Sequence, residues 1–293
     1  MSTFLIVDSC CDLPLSYIEA NHDVLEVIGM PVHIDGMDYF DDLGKTLSHD
    51  DLYEKLRQGM VASTAQINVF RFAELFKEKL RTYDNLIYIG FSSGMSGTYN
   101  NALQSIDIVK EEYPDADIRV IDSKSASIGQ GLIVIRAVEL LRENNDVDQI
   151  EQWVNASKLD VNHWFAVDDL NFLKAGGRVS SAEAAVGTLL SVKPILIVNH
   201  SGQLKPYGKV KGRKKSIKFL LDKFKEHYVH ESFDQVIIGH GNAIEDAQQL
   251  KDMLSPLVSE EKIMITELSA TIASHVGPGM LAMSFMGNLR EDK

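Results

Sequence analysis

The amino-acid sequence predicts an α/β fold made of two apposed α/β domains, the first containing a mainly parallel sheet. Short apolar runs of strand length alternate with segments whose apolar residues recur every three or four positions, a pattern typical of strands joined by helices. The chain has 293 residues, more than one hydrophobic core usually contains, so two domains are expected. Polar residues directly follow the first three predicted strands, which indicates ligand-binding loops at one edge of the sheet.

The predicted elements follow the order of these runs. Strands are predicted at residues 4–7, 86–89, 118–121, 194–198, 236–238 and 263–265, and helices at residues 70–81, 100–113, 148–157 and 217–228. Another apolar run, at residues 163–167, follows a short polar stretch at residues 158–162, where we place the boundary between domains 1–160 and 161–293. No linker rich in proline, glycine or serine marks this boundary, so the two domains are expected to pack closely.

Composition and charge disfavour several classes of protein. The chain is 45% apolar and 24% charged, and its formal net charge is -13, so binding to nucleic acid, which needs cationic side chains against phosphates, is not expected. The apolar runs are too short or too interrupted by charges to span a bilayer, and the first residues lack a signal-peptide pattern. A cytoplasmic protein without stable membrane insertion is therefore predicted. Cys10 and Cys11 are adjacent, which suits neither a disulfide nor a metal site, and no metal or cofactor is predicted.

A loop rich in serine and glycine is the strongest functional signal in the sequence. Residues 90–99 follow a predicted strand and contain Ser92, Ser93 and Ser96, with Gly94 among them, before a helix begins. Glycines allow the backbone to approach a ligand closely, and hydroxyls and free N–H groups at a helix start favour an anion. This loop is therefore predicted to bind an anion.

Two more hydroxyl clusters lie in the first half of the chain. Ser63 and Thr64 precede the helix predicted near residue 70, and by themselves they are explained as a helix cap. Asp122 and Ser123 follow the third strand and could cap the next helix in the same way. Because three clusters occur within one predicted domain, we interpret them together as one polar pocket.

The same serine loop also fits a hydrolase. Gly90, Ser92 and Gly94 match the Gly-x-Ser-x-Gly pattern of α/β-hydrolases, with Ser92 as the nucleophile. Asp234 with His240 or His275 could complete a triad in the expected order. The later glycines delay the helix that should follow an elbow serine at once, so this acyl-ester hydrolase is the alternative hypothesis.

Two residues framed by glycines are further candidates in the second half. His275 lies in a turn with Gly277, Pro278 and Gly279, and such a frame would fix its ring for a ligand contact. Arg178 follows two glycines and fits a helix entry or an anion contact equally well.

Basic residues concentrate in residues 205–215, although the chain as a whole is acidic. The cations of this segment are Lys205, Lys209, Lys211, Arg213, Lys214 and Lys215. Charge runs usually form only a solvated surface. The contrast with the rest of the chain indicates docking to an acidic or phosphorylated partner.

These residues and motifs resemble the DegV family over essentially the whole chain. The matching segments are Ile6-Val7-Asp8-Ser9, Asp12-Leu13-Pro14, residues 63–66 and 91–99, Asp122-Ser123, Gly176-Gly177-Arg178, residues 193–196 and 275–279. The resemblance implies a DegV-like α/β protein that holds one long-chain fatty acid between its domains. It further implies a subunit without catalytic residues, whose ATP-dependent fatty acid kinase partner converts the bound acid to acyl-phosphate for bacterial phospholipid synthesis.

The resemblance also implies roles for particular residues. The carboxylate contacts of the family map to Thr64, His275 and the pair Ser92 and Ser93, of which Ser93 is favoured. The supporting loop residues are Ser63, Gly94, Ser96, Asp122, Ser123 and Gly277, and the residues for partner docking or the pocket entrance are Arg178, Lys209, Lys211, Arg213, Lys214 and Lys215.

The chain departs from the family pattern at three positions. Ala65 and Ile67 stand where serine and proline are frequent, so the loop around Thr64 is expected to differ in shape. Lys211 stands where arginine is frequent, and lysine offers a point charge in place of a two-pronged contact. Residues 182–190 are candidate walls of the acyl channel, although packing in the core is an alternative role for them.

Overall fold

The computed structural model describes residues 2–180, 191–229 and 233–292. The strands are β1 Thr3–Asp8, β2 Leu25–Ile28, β3 Pro31–Ile34, β4 Met37–Phe40, β5 Ser63–Thr64, β6 Asn85–Gly90, β7 Asp117–Asp122, β8 Val161–Ala166, β9 Val192–Val198, β10 Leu204–Lys211, β11 Val236–His240, β12 Ile263–Glu267 and β13 Leu281–Met286. The helices are α1 Leu15–Ala20, α2 His49–Arg57, α3 Val69–Lys79, α4 Thr98–Lys110, α5 Ile128–Arg142, α6 Val147–Ser157, α7 Asn171–Ala175, α8 Arg213–His227, α9 Ile244–Leu254 and α10 Ala270–Val276. The α/β fold predicted from the sequence is confirmed.

The first sheet is parallel and has the strand order β2-β1-β6-β7. Each of its three longer strands corresponds to an apolar run in the sequence; β1 and β6 are fully buried and β7 is partly buried. Their carboxyl ends lie side by side, since Val7 pairs with Ile89 and Gly90 pairs with Asp122. The loops that follow these strands consequently contact one another, as the sequence predicts.

The second sheet is mixed, with the order β10-β9-β8-β13-β11-β12. Only β11 and β12 pair in parallel, and the other neighbours are antiparallel. The expectation of parallel strands therefore holds for the first sheet alone. A short turn joins the antiparallel strands β9 and β10, and β13, which follows α10, lies antiparallel between β8 and β11.

Helix α5 lies between the two sheets. Most of its residues are buried, and its polar face carries the partly buried Arg136 and Glu139 and the exposed Arg142. It contacts β1 and β6 in the first sheet and β8, β11 and β13 in the second. Strands β1–β7 precede residue 160 and β8–β13 follow it, but the two halves share this helix. The domain boundary at residues 158–162 stays a prediction.

A small antiparallel sheet, in the order β4-β3-β5, carries the first candidate residues. Thr64 pairs with Val32 in this sheet, so the interpretation of Ser63 and Thr64 as a helix cap is wrong. Asn68 caps α3, because its side chain accepts a hydrogen bond from the backbone N–H of Arg71 at 2.9 Å.

The described helices and the two cysteines bear on the membrane and disulfide expectations. Among the described residues, every helix is too short or too polar for a bilayer crossing. Cys10 and Cys11 lie in a short turn after β1 as buried free thiols. Their burial raises the pKa of both thiols, which keeps them protonated.

Candidate functional site

A largely apolar cavity lies between the two sheets, and both halves of the chain contribute to its wall. The volume of this cavity in the structure is about 70 Å³. Cys10, Met30 and Phe91 line it from the first half, and Phe165 and Met280 line it from the second. An apolar wall of this kind suits a hydrocarbon chain.

Thr64 and His275 face each other on the cavity wall. The Thr64 hydroxyl lies 2.8 Å from Nε2 of His275, which joins β5 to the last turn of α10. Burial, and secondarily the charge of Arg178, lower the pKa of His275 to about 4. The imidazole is therefore neutral near pH 7 and can donate a proton from one ring nitrogen while the other accepts. Its Nδ1 atom is buried and has no hydrogen-bond partner among the residues described.

Two buried carboxyl groups from the first half fix the start of α10. Asp12 accepts a hydrogen bond from the backbone N–H of Ser269 at 2.8 Å. Asp41 accepts from the backbone and the hydroxyl of Thr271, at 2.8 and 2.6 Å. Negative or polar oxygen at a helix N-terminus is favourable because the first N–H groups have no partner within the helix. The helix that carries His275 is thus held by the opposite half of the molecule.

Burial changes the acidity of these carboxyl groups. Desolvation raises the pKa of Asp12 to about 7, against opposing hydrogen bonds from Ser127 and Ser269. Desolvation also raises the pKa of Asp41, despite its bonds from Thr271. The contact between α10 and the first half therefore depends on the protonation of buried groups.

Glycines leave room for the His275 ring and for the turn after it. A Cβ atom on Gly176 would lie 2.1 Å from Nδ1 of His275, so α7 can approach the imidazole only with glycine there. Gly277 ends α10 with a φ of 71°, a conformation that other residues rarely adopt. A Cβ atom on Gly277 would also lie 2.4 Å from the ring of Phe172.

The serine pair of the loop after β6 does not line the cavity. Ser92 is fully buried, donates its hydroxyl proton to the carbonyl of Gly202 at 2.7 Å and accepts from the N–H of Gly94 at 3.1 Å. Ser93 donates to Asp122 at 2.5 Å and accepts from Lys124 at 2.8 Å. The hydroxyls of both serines bond to residues outside the cavity wall.

Ser96, in the same loop, does line the cavity. Its hydroxyl is 3.0 Å from that of Thr98 at the start of α4. The sequence places Ser96 among the supporting residues, and the tight turn that begins at Ser92 directs it inward. The structure therefore brings Thr64, Ser96, Arg178 and His275 to one cavity.

Asp122 and Ser123 organise the neighbouring loop. Burial acts to raise the pKa of Asp122, but hydrogen bonds from Lys124 and Ser93 outweigh it and the pKa is lowered. Asp122 and Lys124 form an ion pair at 2.8 Å. Ser123 is buried and donates to the carbonyl of Ser125 at 3.3 Å. These residues support the backbone around the serine pair.

The hydrolase hypothesis finds no support in this geometry. The Ser92 proton is donated to a backbone carbonyl, and a triad serine must instead donate to a histidine. His275 bonds to Thr64, and Asp234 pairs with Lys262 at 3.0 Å. These bonds leave Ser92 without the general base that a nucleophile of this class needs.

Arg178 lies on the cavity wall, half buried. It donates to the carbonyl of Gly176 at 2.5 Å, and burial lowers the pKa of its guanidinium. A neighbouring polar groove is lined by Gly94, Met95, Arg178 and Lys205. Arg178 thus lines both the cavity and a surface groove, and its role at an entrance stays a prediction.

The basic segment divides into exposed lysines and one engaged arginine. Lys209 and Lys211 are exposed on β10, and Lys214 and Lys215 are exposed at the start of α8. Arg213 instead donates to Asp246 and to the carbonyl of Gly279, each at 2.8 Å. The prediction of Arg213 as a docking residue is corrected, because its side chain braces the turn that follows His275.

Residues 182–190, predicted as channel walls, lie outside the described residues. His163 is a cavity residue that the sequence reasoning did not select. It stands within an apolar run as a buried polar side chain, and that contrast was the available signal.

Known proteins resemble this chain over its whole length. Residues 2–288 match the sequence profile described as "Uncharacterised protein, DegV family". A DegV domain-containing protein of Clostridium perfringens is 39% identical over 99% of this chain and 100% of its own. A DegV domain-containing protein of Lactococcus lactis is 34% identical over 97% of both chains.

Solved structures share the fold as well. One is the structure of a DegV family protein of Thermus thermophilus that binds fatty acid. It superposes with a TM-score of 0.85 at 28% identity, and the match covers 98% of this chain and 100% of that one. The fatty acid binding DegV family protein SAG1342 of Streptococcus agalactiae has a TM-score of 0.84 at 30% identity, covering 98% and 99%. The chain belongs to the DegV family.

Proposed function

We propose that this protein binds one long-chain fatty acid in the cavity between the sheets and presents its carboxylate to a partner ATP-dependent fatty acid kinase. The partner would convert the acid to acyl-phosphate for phospholipid synthesis. The observation that carries the first part is the apolar cavity with the Thr64 and His275 contact on its wall. The fatty acid binding of the Thermus and Streptococcus relatives supports the same ligand.

The polar groups of the cavity suit a carboxylate. A carboxylate that leaves water must recover its hydration through hydrogen bonds, and Thr64, Ser96 and the neutral His275 can supply donors. Arg178 adds positive charge close to His275. Mainly neutral donors leave the carboxylate oxygen nucleophilic, which phosphoryl transfer to that oxygen requires. We place the carboxylate at Thr64 and His275, and the serine pair supports the loop from outside.

The acyl chain would supply most of the affinity. Burying about 14 methylene groups at about 0.8 kcal/mol each contributes roughly 11 kcal/mol before the costs of association and ordering. Such a chain needs a long apolar channel, which two apposed layers can enclose. The proposed division at residue 160 therefore places the ligand between segments 1–160 and 161–293.

The second part of the proposal concerns the source of the phosphoryl group. Gly44-Lys45-Thr46 resembles the end of a nucleotide-binding loop, but Tyr39 stands where that pattern requires a glycine. Lys45 pairs with Glu19 at 3.2 Å. This supports a phosphoryl donor that is bound by another protein. The proposed docking surface for that protein consists of the exposed Lys209, Lys211, Lys214 and Lys215, and Arg178 lies at the proposed entrance.

Lipid extraction and native mass spectrometry of the purified protein test the ligand. We expect a bound fatty acid, or uptake of labelled palmitate or oleate after the lipid is stripped. A protein that is isolated empty and takes up neither acid would refute the proposal. For the partner, ATP-dependent formation of acyl-phosphate is measured with a fatty acid kinase, with and without this protein.

A further inference from the structure

His163 places an imidazole in the wall of an otherwise apolar cavity. The residue lies in β8, is only 6% exposed and lines the cavity. Its partner across the β8 and β13 pair is Ser284, which is 1% exposed and lines the same cavity. Paired residues in neighbouring strands point to the same face of a sheet. The two side chains therefore form a polar spot in the cavity wall.

The His163 ring nitrogens have no hydrogen-bond partner among the described residues. The nearby carbonyl of Val161 acts to raise the pKa of His163, but it does not form a hydrogen bond of ordinary geometry with the ring. Burial, with a smaller effect of the Arg290 charge, lowers the pKa of His163 well below its usual value. The ring is thus neutral and offers one donor and one acceptor. Buried polar atoms normally have a partner, and leaving them without one is costly.

The position of this imidazole is built into the fold. A Cβ atom on Gly129 would lie 2.0 Å from Nε2 of His163, so the first turn of α5 accommodates the ring only because residue 129 is glycine. An apolar side chain at position 163 could line the same part of the wall without placing a polar atom there.

The polar spot lies away from the carboxylate end. Met280, Ala282 and Ser284 alternate along β13 and the residue before it, and all three line the cavity. At about 3.4 Å per residue, Ser284 lies roughly 13 Å along the strand from Met280. Met280 follows directly on the turn after His275. An acyl chain running from His275 along this row would pass His163 in its middle or distal part.

We propose that the cavity accepts long-chain fatty acids that carry a hydroxyl group in the middle or distal part of the chain, with the hydroxyl hydrogen-bonded to His163. This inference rests on the proposed fatty acid binding and specifies the class of acid. A hydroxyl can donate to the unprotonated ring nitrogen or accept from the protonated one, whereas a methylene group at that place leaves both unpaired. An apolar wall would instead penalise the hydroxyl.

Displacement of labelled palmitate from the lipid-stripped protein tests this inference. The competitors are stearic acid, 10-hydroxystearic acid and 12-hydroxystearic acid. We expect at least one hydroxy acid to compete as well as stearic acid or better. In His163→Leu, the affinity of that hydroxy acid relative to stearic acid should fall by about tenfold or more, because polar recognition of a hydroxyl discriminates strongly. His163→Gln should retain part of the preference, since its amide can hydrogen-bond.

The exposed His33 provides a control, and His33→Leu should leave the ratio unchanged. Circular dichroism verifies that each variant is folded. If His163→Leu does not fold, the test is the affinity of wild type for the hydroxy acids relative to stearic acid. About tenfold weaker binding of both hydroxy acids than of stearic acid then overturns the inference. An equal ratio in wild type and His163→Leu overturns it too. Failure of palmitate and stearic acid themselves to bind would refute the proposed function as a whole.

Discussion

The hydroxyl of Thr64 and the Nε2 atom of His275 lie 2.8 Å apart, although 211 residues separate them in the chain. Thr64 is on the small sheet of the first half, and His275 ends a helix of the second half. Asp12 and Asp41 hold the start of that helix against the first half. The polar side of the cavity is therefore assembled from both halves and depends on how they pack.

Replacing Thr64 with valine should weaken fatty acid binding. Valine keeps the shape of the side chain but removes the hydroxyl, so one hydrogen bond to the carboxylate and one to His275 are lost. The loss of a buried hydrogen bond, at about 1–3 kcal/mol, corresponds to roughly 5–150-fold in affinity. Calorimetric titration with palmitate measures it, and Thr82→Val, at an exposed position outside the cavity wall, is the control. Unchanged affinity in Thr64→Val would remove Thr64 from the site.

Asp12 should make the protein less stable as the pH rises towards neutrality. Its pKa is about 7 in the folded state and 3.8 as the unperturbed value, so between these values the folded protein binds more protons than the unfolded chain. The stability from this group is present below about pH 4 and is lost as the pH rises through 7. Asp12→Asn mimics the protonated form and should not show this loss.

Urea unfolding between pH 5 and 8 measures this effect as the difference between wild type and Asp12→Asn. Wild type is compared with the variant because the lowered pKa values of His275 and His240 make the free energy of unfolding rise with pH up to about 6.5. Both proteins share this effect, so it cancels in the difference. Relative to the variant, the free energy of unfolding of wild type should fall by about 2 kcal/mol between about pH 5 and pH 8. Asp107→Asn, on the exposed face of α4, should follow wild type. A difference that stays constant with pH would contradict the prediction.

Reversing the charge of the exposed lysines should affect the kinase reaction and spare lipid binding. In the variant with Lys209, Lys211, Lys214 and Lys215 changed to glutamate, we expect kcat/KM of the partner kinase for the loaded protein to fall about tenfold or more, because charge complementarity governs such encounters. The affinity for palmitate should not change. Lys225→Glu, exposed at the other end of α8, is the matched control. Full kinase turnover in the fourfold variant would show that these lysines form only a solvated surface.

Ser92 should not react with a fluorophosphonate probe. Its hydroxyl is buried and donates to the Gly202 carbonyl, so no base activates it. Ser92→Ala should lose about 1 kcal/mol of stability, because this hydrogen bond disappears. Mass spectrometry after probe treatment detects labelling, and rapid labelling of Ser92 that is absent in Ser92→Ala would restore the hydrolase hypothesis.

Local sequence patterns were sufficient for much of the fold. The apolar run at residues 86–89 became β6, and the spacing at residues 70–81 became α3. The basic segment, by contrast, was not predicted as a strand, although β10 spans most of it. Exposed lysines are common on edge strands because they discourage pairing with other chains. The lysine-rich composition of this segment therefore lacks the apolar pattern from which a strand is predicted.

The amino-acid sequence alone is enough to predict the alternation of strands and helices, the position of the hydroxyl-rich loops and the resemblance to the family. These depend on periodicity and residue type over a few positions, which the chain specifies locally. Folding places Ser96 on the cavity wall but leaves Ser92 and Ser93 outside it, and it makes Arg213 brace a turn. It also places His163 in the cavity wall. Such placements depend on packing between segments far apart in the chain, because the direction of a side chain is fixed by the backbone and neighbours that meet only in the folded protein.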